Sequence, residues 1–173
     1  AFFYDGVNKE ILKRIDTRNL QVASVGPIPK DAIKMYLSDI KIKDLLYGVE
    51  DCQKVNTVTV NEEIVHFITI GYIETRKGQD ILIKAIKQLP ENILNQCEFL
   101  LVGQNTSMMA QNIQSEIVGL PQVKIIGTVR REKIHELLDN TDVLLCPSRE
   151  DPMPTVATEA MMHGVPCLIS NVT

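Results

Sequence analysis

Two acidic side chains, Asp151 and Glu159, flank the predicted start of a helix. A carboxylate can accept two hydroxyl hydrogen bonds at once, which suits the vicinal diol of a ribose or a hexose. The helix start between the two acids favours an anion such as a phosphate, because its first N–H groups have no partner within the helix. Each acid also has a purely structural explanation: Asp151 as a turn or capping residue, and Glu159 as a favourable charge against the helix dipole.

A basic loop precedes a second predicted helix. Residues 71–78 read GYIETRKG, so that Arg76 and Lys77 come directly before the helix start. Two cations beside the free N–H groups of a helix are suited to bind a phosphate. On this loop alone, a solvated basic turn explains the residues equally well. A third loop, Gly127 to Arg130, follows a strand and offers backbone amides and carbonyls to a flat base edge.

Several other chemistries are excluded by spacing. No two of the nine glycines are separated by a single residue, which excludes G-x-G-x-x-G and G-x-S-x-G. Lys77 precedes Gly78, whereas a P-loop needs a glycine before its lysine. The four cysteines form no C-x-x-C pair, the three histidines are all more than four residues apart, and no Asp-x-Asp occurs. We therefore expect neither a metal nor a cofactor.

Composition sets further limits. Hydrophobic residues make up 45% of the 173 residues and charged residues 23%, which favours one folded core over disorder. The net charge of −4 provides no global basic field for nucleic acid, so no nucleic-acid partner is expected. The longest apolar runs fall short of the roughly 20 residues that a membrane-spanning helix needs.

The second part of the chain alternates between strand and helix patterns, which is typical of a parallel sheet covered by helices. The predicted strands cover residues 64–70, 97–102, 123–126, 142–146 and 167–170, and the predicted helices cover 79–89, 108–117, 131–139 and 155–163. In such a sheet the ligand crevice lies beyond the carboxyl ends of the strands. The three loops described above follow strands and are therefore expected at that edge.

The chain is predicted to have two parts. Residues 1–51 form the shorter part, residues 52–63 a polar, β-branched linker, and residues 64–173 the compact α/β domain. The last predicted strand has only just left its helix and still needs a covering element. We therefore expect the domain to be truncated at its C-terminus.

The motifs together resemble the group 1 glycosyltransferases of family GT4, which have the GT-B fold. The segment from Asp142 to Pro166 resembles the family's E-x7-E region. The segment IGYIETRKGQD, residues 70–80, is similar to its G-R-x-x-x-x-K-G loop. The likeness covers residues 64–173, and residues 20–51 more weakly resemble the end of the acceptor-side domain. It implies a Rossmann-like, doubly wound parallel sheet: the C-terminal, nucleotide-sugar-binding domain of a GT-B enzyme.

The resemblance assigns roles to the loops. Lys77 would neutralise the donor diphosphate as it leaves, with Gly71 and Arg76 in the same loop, and Glu159 would hold the ribose diol. Asp151 would contact hydroxyls of the transferred sugar, so Lys77 and Asp151 are the predicted catalytic residues. The remaining predicted donor-binding residues would act through their backbones: Met153, Pro154 and Thr155 at the sugar phosphate, and Gly127 and Val129 at the base.

This sequence departs from the family pattern at three of these positions. Tyr72 stands where the family has Arg, Asp151 where it has Glu, and Pro154 where a Gly would offer an N–H group.

The resemblance implies a retaining glycosyltransferase that moves a sugar from a nucleoside diphosphate sugar to a hydroxyl acceptor in polysaccharide or glycoconjugate synthesis. The acceptor, a glycan or a lipid-linked sugar, would be held by the missing N-terminal domain. A fragment without that domain is expected to bind donor but to transfer little. The full protein is expected in the cytoplasm, including at the inner face of the membrane as a peripheral protein. Two alternatives stay open: a non-catalytic doubly wound binding module, and a GT-B sugar-nucleotide epimerase.

Overall fold

The computed structural model describes residues 14, 16–24, 27–35, 37–45, 48–49, 64–151 and 153–171. The chain divides into two compact units, Ala1–Gly48 and Val49–Thr173. The predicted linker, residues 52–63, lies outside the described residues, and the predicted domain boundaries stay a prediction.

The first unit contains two short parallel strands and one helix. Strand β1 (Val22–Ser24) pairs with β2 (Ile42–Asp44), and helix α1 (Pro27–Lys34) connects them along the chain. Lys30 on the helix lies 2.6 Å from the carboxylate of Asp44, which ties α1 to the second strand. A short 3-10 turn, Thr17–Asn19, precedes β1.

The second unit is built on a parallel sheet of five strands, in the order β5-β4-β3-β6-β7. The strands are β3 (Val65–Ile70), β4 (Cys97–Val102), β5 (Val123–Ile126), β6 (Val143–Cys146) and β7 (Cys167–Ile169). The helices are α2 (Gln79–Ile86), α3 (Glu91–Leu94), α4 (Met108–Glu116), α5 (Arg131–Leu138) and α6 (Thr155–Met162). The α/β class and the doubly wound parallel sheet are therefore confirmed.

Helices cover both faces of this sheet, because successive residues of a strand point to opposite sides. In β4, Phe99 and Leu101 pack into one core with Ile83 of α2 and Ile113 of α4. Val102 points the other way. The second core joins it to buried residues from α5, β6 and α6: Leu138, Leu144, Ala157 and Ala160. Each core buries aliphatic side chains that contribute about 1.5–3 kcal/mol apiece.

The predicted strands and helices of this unit agree with the structure to within three residues at each end. Two short elements were not predicted: a 3-10 turn at Thr75–Lys77 and the four-residue helix α3. Both are too short to show a hydrophobic period. The turn places Lys77 at its last position, directly before Gly78.

The strand order reverses between β3 and β6. The chain runs from β3 outward to β4 and β5, then returns to β6 on the other side of β3. At such a switch point the loops after the two central strands separate and leave a crevice. Here those loops also touch: a Cβ added to Gly78 would stand 2.0 Å from the carbonyl oxygen of Pro147. Gly78 therefore permits the close approach of the two loops.

Replacing Gly78 by alanine is expected to destabilise the protein more than replacing Gly164. Both glycines have a left-handed backbone, with φ of 70° and 73°, so this conformation lowers the free energy of unfolding of each alanine variant by about 1–2 kcal/mol. Gly164 has open space where the Cβ would go, whereas Gly78 meets Pro147. Urea unfolding should show a further loss of about 1–3 kcal/mol for Gly78→Ala. Equal losses would mean that the two loops do not meet this closely.

Candidate functional site

The central contact of the site joins the two loops at the switch point. Lys77 Nζ donates a hydrogen bond to Asp151 Oδ2, so the two predicted catalytic residues lie together. The Asp151 side chain is only 8% exposed and that of Lys77 19%, so the ion pair is largely shielded from water. The stem of Lys77 lies against Gly71, where an added Cβ would stand 3.6 Å from Lys77 Cε. The Lys77 side chain therefore packs against the backbone of Gly71, which has no side chain to displace it.

An apolar strand end lies next to this ion pair. Cys146, the last residue of β6, is buried, and its removal from water raises the pKa of the thiol to about 11. Cys167 and Asp151 also raise this pKa, and Lys77 lowers it. Cys146 is therefore a neutral thiol at pH 7, and the low-dielectric surroundings strengthen the attraction between Lys77 and Asp151.

A second ion pair fastens the two loops to each other. Both terminal nitrogens of Arg149 lie 2.7 Å from the Asp80 carboxylate, and Nη1 also donates to the carbonyl of Thr75 at 2.8 Å. The backbone N–H groups of Arg149 and Glu150 donate to the carbonyl of Arg76, at 2.8 and 3.2 Å. Residues 149 and 150 are therefore held to the loop that carries Lys77, immediately before Asp151.

The Asp80–Arg149 contact also favours the ionised form of the Asp80 carboxyl group. Hydrogen bonding from Arg149 holds the pKa of the Asp80 carboxyl below its ordinary value of 3.8, against the opposing effect of burial. The same contact raises the pKa of Arg149. Both groups are fully charged at neutral pH, as a two-pronged guanidinium–carboxylate bond requires.

Arg76 points toward a different partner from Lys77. Its guanidinium donates to Glu74 at 2.8 Å and, more weakly, to the Glu150 carbonyl at 3.4 Å. Glu74 therefore neutralises part of the charge that Arg76 would bring to an anion. The assignment of Arg76 to the donor site stays a prediction.

The loop that carries Lys77 is also fixed from the other side, by the loop after β4. The hydroxyl of Ser107 donates to the Ile73 carbonyl and accepts from the Ala110 N–H at 3.0 Å, which caps the start of α4. The Ile73 N–H donates to the Gln104 carbonyl at 3.0 Å. Contacts on both sides therefore hold the loop in one position.

Glu159 belongs to a separate cluster on α6. One of its carboxylate oxygens lies 3.9 Å from Arg131 Nη2, at the first turn of α5, and its side chain is 24% exposed. The loop Gly127–Val129 leads into this same end of α5, and Gly127 lies beside the Asn105 side chain. Glu159 and the 127–129 loop therefore both lie at the start of α5, and their roles in donor binding stay predictions.

The residues between the two acids form the start of α6. Met153 is half-buried, Pro154 directly precedes the helix, and Thr155 is its first residue. Pro154 supplies no side-chain cap, since proline has neither an N–H nor a side-chain acceptor. Unlike α4, which has Ser107, helix α6 leaves its first N–H groups without a side-chain acceptor at this position.

Among residues 64–151 and 153–171 and the shorter described stretches, no cluster of three histidine, cysteine or acidic side chains is arranged to hold a metal ion. None of the described helices has the length and apolar character needed to cross a membrane.

Asp80 is a residue of the site that no motif in the sequence predicts. Its partner Arg149 lies 69 positions away, and no local spacing signals such a pair. The one available hint is that Asp80 sits one turn from Lys77, on a helix that begins at the carboxyl edge.

Asp80→Asn is expected to reduce the free energy of unfolding by about 1 kcal/mol at pH 7, because it breaks a two-pronged ion pair that is partly shielded. Since the pKa of Asp80 is lowered on folding, the stabilisation is present at neutral pH and disappears as the pH falls below 3.8. Urea unfolding at pH 7 and pH 3 measures both effects.

The matched control is Glu136→Gln, which removes an exposed partner of Lys133 and should change stability by less than about 0.5 kcal/mol. A loss for Asp80→Asn no greater than this control, or one that is unchanged at pH 3, would contradict the role given to the pair.

Known proteins share this architecture. The family model described as glycosyl transferases group 1 matches residues 53–173. A solved structure, Anabaena HepE in complex with UDP and glucose, superposes with a TM-score of 0.76 over 98% of this chain and 49% of its own, at 19% identity. At that identity the likeness shows the fold.

Two curated proteins are similar over most of the chain. An uncharacterized 41.2 kDa protein in the cps region of Klebsiella pneumoniae is 28% identical over 145 residues, which is 84% of this chain and 38% of that protein. A UDP-Gal:alpha-D-GlcNAc-diphosphoundecaprenol alpha-1,3-galactosyltransferase of Escherichia coli is 26% identical over 153 residues, which is 80% of this chain and 39% of that protein. The chain thus spans about two fifths of these relatives. Because the family model covers well over half of it, the chain belongs to the group 1 glycosyltransferases.

Proposed function

We propose that this chain is the donor-binding portion of a retaining glycosyltransferase of family GT4 that uses a nucleoside diphosphate sugar. The observation that carries the proposal is the contact between Lys77 and Asp151 at the point where the strand order reverses. Ligands of doubly wound sheets bind at this point. The pair offers a cation for phosphate and an acid for hydroxyl groups in one place.

Lys77 neutralises the departing diphosphate in this proposal. Breaking the bond to the sugar leaves negative charge on the phosphate oxygens, and a fixed cation in low-dielectric surroundings stabilises that charge. Packing against Gly71 and the hydrogen bond to Asp151 hold the ammonium in position before the donor binds. Arg76, with part of its charge taken by Glu74, is the secondary cation.

Asp151 accepts hydroxyl hydrogen bonds from the transferred sugar. A carboxylate has about four acceptor positions, so one contact with Lys77 leaves others for the sugar. The backbone of Met153, Pro154 and Thr155 faces the sugar phosphate, where the uncapped start of α6 supplies N–H groups. The acceptor hydroxyl attacks from the side of the departing phosphate, so the sugar keeps its configuration without a nucleophile from the protein.

The nucleoside lies toward α5 and α6. Glu159 accepts from the ribose diol, and backbone groups of Gly127 and Val129 meet the edge of the base. No metal is required in this scheme, since Lys77 and the helix start supply the positive field. The E. coli relative acts on a galactosyl donor and a diphosphoundecaprenol-linked acceptor by its name. A glycan or lipid-linked sugar, held by the rest of a longer protein in the cytoplasm or at the inner membrane face, is the corresponding acceptor class here.

Calorimetry with UDP, GDP and ADP tests the donor site directly. For whichever nucleotide the wild type binds, Lys77→Ala is expected to lower the affinity roughly 10- to 100-fold, since a charge-assisted hydrogen bond contributes about 1.5–3 kcal/mol. Lys124→Ala is the control, because Lys124 is an exposed lysine on β5 paired only loosely, at 3.4 Å, with Glu98. Equal affinity of the two variants would contradict the role of Lys77.

Lys77→Ala leaves Asp151 as a shielded charge without its partner, so the variant can lose stability as well as binding. The double variant Lys77→Met with Asp151→Asn removes both charges and keeps the side-chain volumes. It is expected to unfold at a temperature close to the wild type and still to bind nucleotide weakly. Binding at wild-type strength would contradict the proposal.

Reaction assays separate the alternatives. Failure of the wild-type chain to bind any of the three nucleotides or their sugars would favour a non-catalytic module. Interconversion of a sugar nucleotide without an acceptor would favour an epimerase. Transfer to an acceptor glycan by a longer protein that includes the acceptor-side domain, with little transfer by this chain alone, is the result expected here.

A further inference from the structure

A buried glutamine closes the loop that carries Lys77. Gln79 is the first residue of α2, directly after Gly78, and is 1% exposed. Its side-chain Nε2 donates a hydrogen bond of 2.9 Å to the backbone carbonyl of Tyr72, seven positions earlier in the chain. Because Tyr72 is the second residue of the loop 71–78, this bond joins the end of the loop to its beginning.

A glutamine is an unusual residue for this position. The buried residues of α2 are Gln79, Ile83 and Ile86, and their spacing of four and three places them on one face of the helix. Ile83 and Ile86 lie in the apolar core that also contains Phe99. Removing an amide from water costs more than removing an aliphatic side chain, so the presence of Gln79 in this row must be explained by what its amide contacts.

One end of the Gln79 amide has a hydrogen-bond partner and the other end has none. The Tyr72 carbonyl can only accept a hydrogen bond, so the NH2 group faces it and Oε1 points away. Oε1 is buried and accepts no hydrogen bond within the part of the chain that the structure describes. The bond to Tyr72 is therefore the described contact that offsets the cost of burying this amide.

This bond acts on Lys77 through both ends of the loop. At the beginning of the loop, Gly71 directly precedes Tyr72, and at its end Lys77 lies two residues before Gln79. The Lys77 stem packs against Gly71, where an added Cβ would stand 3.6 Å from Lys77 Cε. Holding Tyr72 to Gln79 therefore keeps the Lys77 stem against the backbone on which it packs.

We propose that Gln79 is a positioning residue of the donor site: through Tyr72 it keeps the loop closed, so that the Lys77 ammonium is in place before a nucleoside diphosphate binds. Ordering a loop and a long side chain during binding lowers affinity, and a loop that is already closed avoids this loss. The inference rests on the proposed function for its effect on binding, whereas closure of the loop needs no ligand.

The chain contains a matched control, Gln122. Its Nε2 donates to Asn95 Oδ1 at 3.1 Å, and its Oε1 is likewise buried without a partner among the described residues. Gln122 directly precedes β5, so it lies at the amino ends of the parallel strands, opposite the edge that carries Lys77. Methionine is similar in size to glutamine and has no amide, so Gln79→Met and Gln122→Met remove the same group in two places.

The first readout is amide hydrogen exchange without a ligand. Within the loop, the Lys77 N–H donates to the Glu74 carbonyl at 2.9 Å. Gln79→Met should accelerate exchange of this N–H roughly three- to tenfold, as the loss of one neutral hydrogen bond predicts, and Gln122→Met should leave it unchanged. The thermal unfolding midpoints of the two variants should lie within about 3 °C of each other, because each variant loses one amide.

The second readout is the dissociation constant of whichever nucleotide the wild type binds among UDP, GDP and ADP. Gln79→Met should weaken binding roughly three- to tenfold, and Gln122→Met should not change it. In the double variant Lys77→Met with Asp151→Asn, adding Gln79→Met should change the affinity by less than about twofold, since the lysine through which Gln79 acts is absent. A purely structural role would give the same loss in both backgrounds.

Unchanged exchange at Lys77 in Gln79→Met would overturn the inference, as would equal losses of affinity in the two backgrounds. An unfolding midpoint far below that of Gln122→Met, in both Gln79→Met and a second variant, Gln79→Leu, would also overturn it, because Gln79 would then be needed for folding. If the wild type binds none of the three nucleotides, the proposed function fails, and hydrogen exchange at Lys77 still decides whether Gln79 closes the loop.

Discussion

The shielded ion pair of Lys77 and Asp151 is the interaction on which the carboxyl edge of the sheet depends. Removing two ions from water costs several kcal/mol each, and the attraction between the two ions offsets that cost. The contact joins loops that are 74 positions apart in the chain. The reversal of strand order brings the loops together, Gly78 lets their backbones approach, and Arg149 fixes one against the other. All three features help to hold the two loops that carry the pair.

A second set of polar contacts organises the other half of the edge. Helices α5 and α6 follow β5 and β6, pack on the same face of the sheet and share the core around Leu138 and Ala160. Apolar packing of this kind tolerates sliding, because it has no direction. The hydrogen bond between His135 and His163 is directional and favours one register, and the ion pair of Arg131 and Glu159 lies beside it. The ion pair thus fixes the loops and the helix contacts fix the helices, so each half of the site has its own constraint.

The sequence predicted the elements of the second unit well because the signal for each is local. Strands β4 and β5 have the predicted bounds, and α6 begins at the predicted Thr155. The motif spacing also predicted that Lys77 and Asp151 would share an edge. The partners of Arg76, Arg149 and Glu159 could not be predicted, since an ion pair between distant residues leaves no periodic pattern. The histidines illustrate the same limit: their spacing excluded a metal motif but contained no sign that two of them meet across two helices.

The Lys77–Asp151 contact has a consequence for how the proposed donor would bind. A bare cation would attract any phosphate, whereas this lysine already has a carboxylate partner that is 8% exposed. A nucleoside diphosphate that accepts from the other N–H groups of this ammonium would share its charge with Asp151, and a shielded carboxylate that loses part of its partner's charge is costly. Sugar hydroxyls would offset that cost, because they donate to the remaining acceptor positions of the carboxylate. The pair would therefore favour the complete sugar nucleotide over the nucleotide alone, and would couple recognition of the sugar to neutralisation of the leaving group.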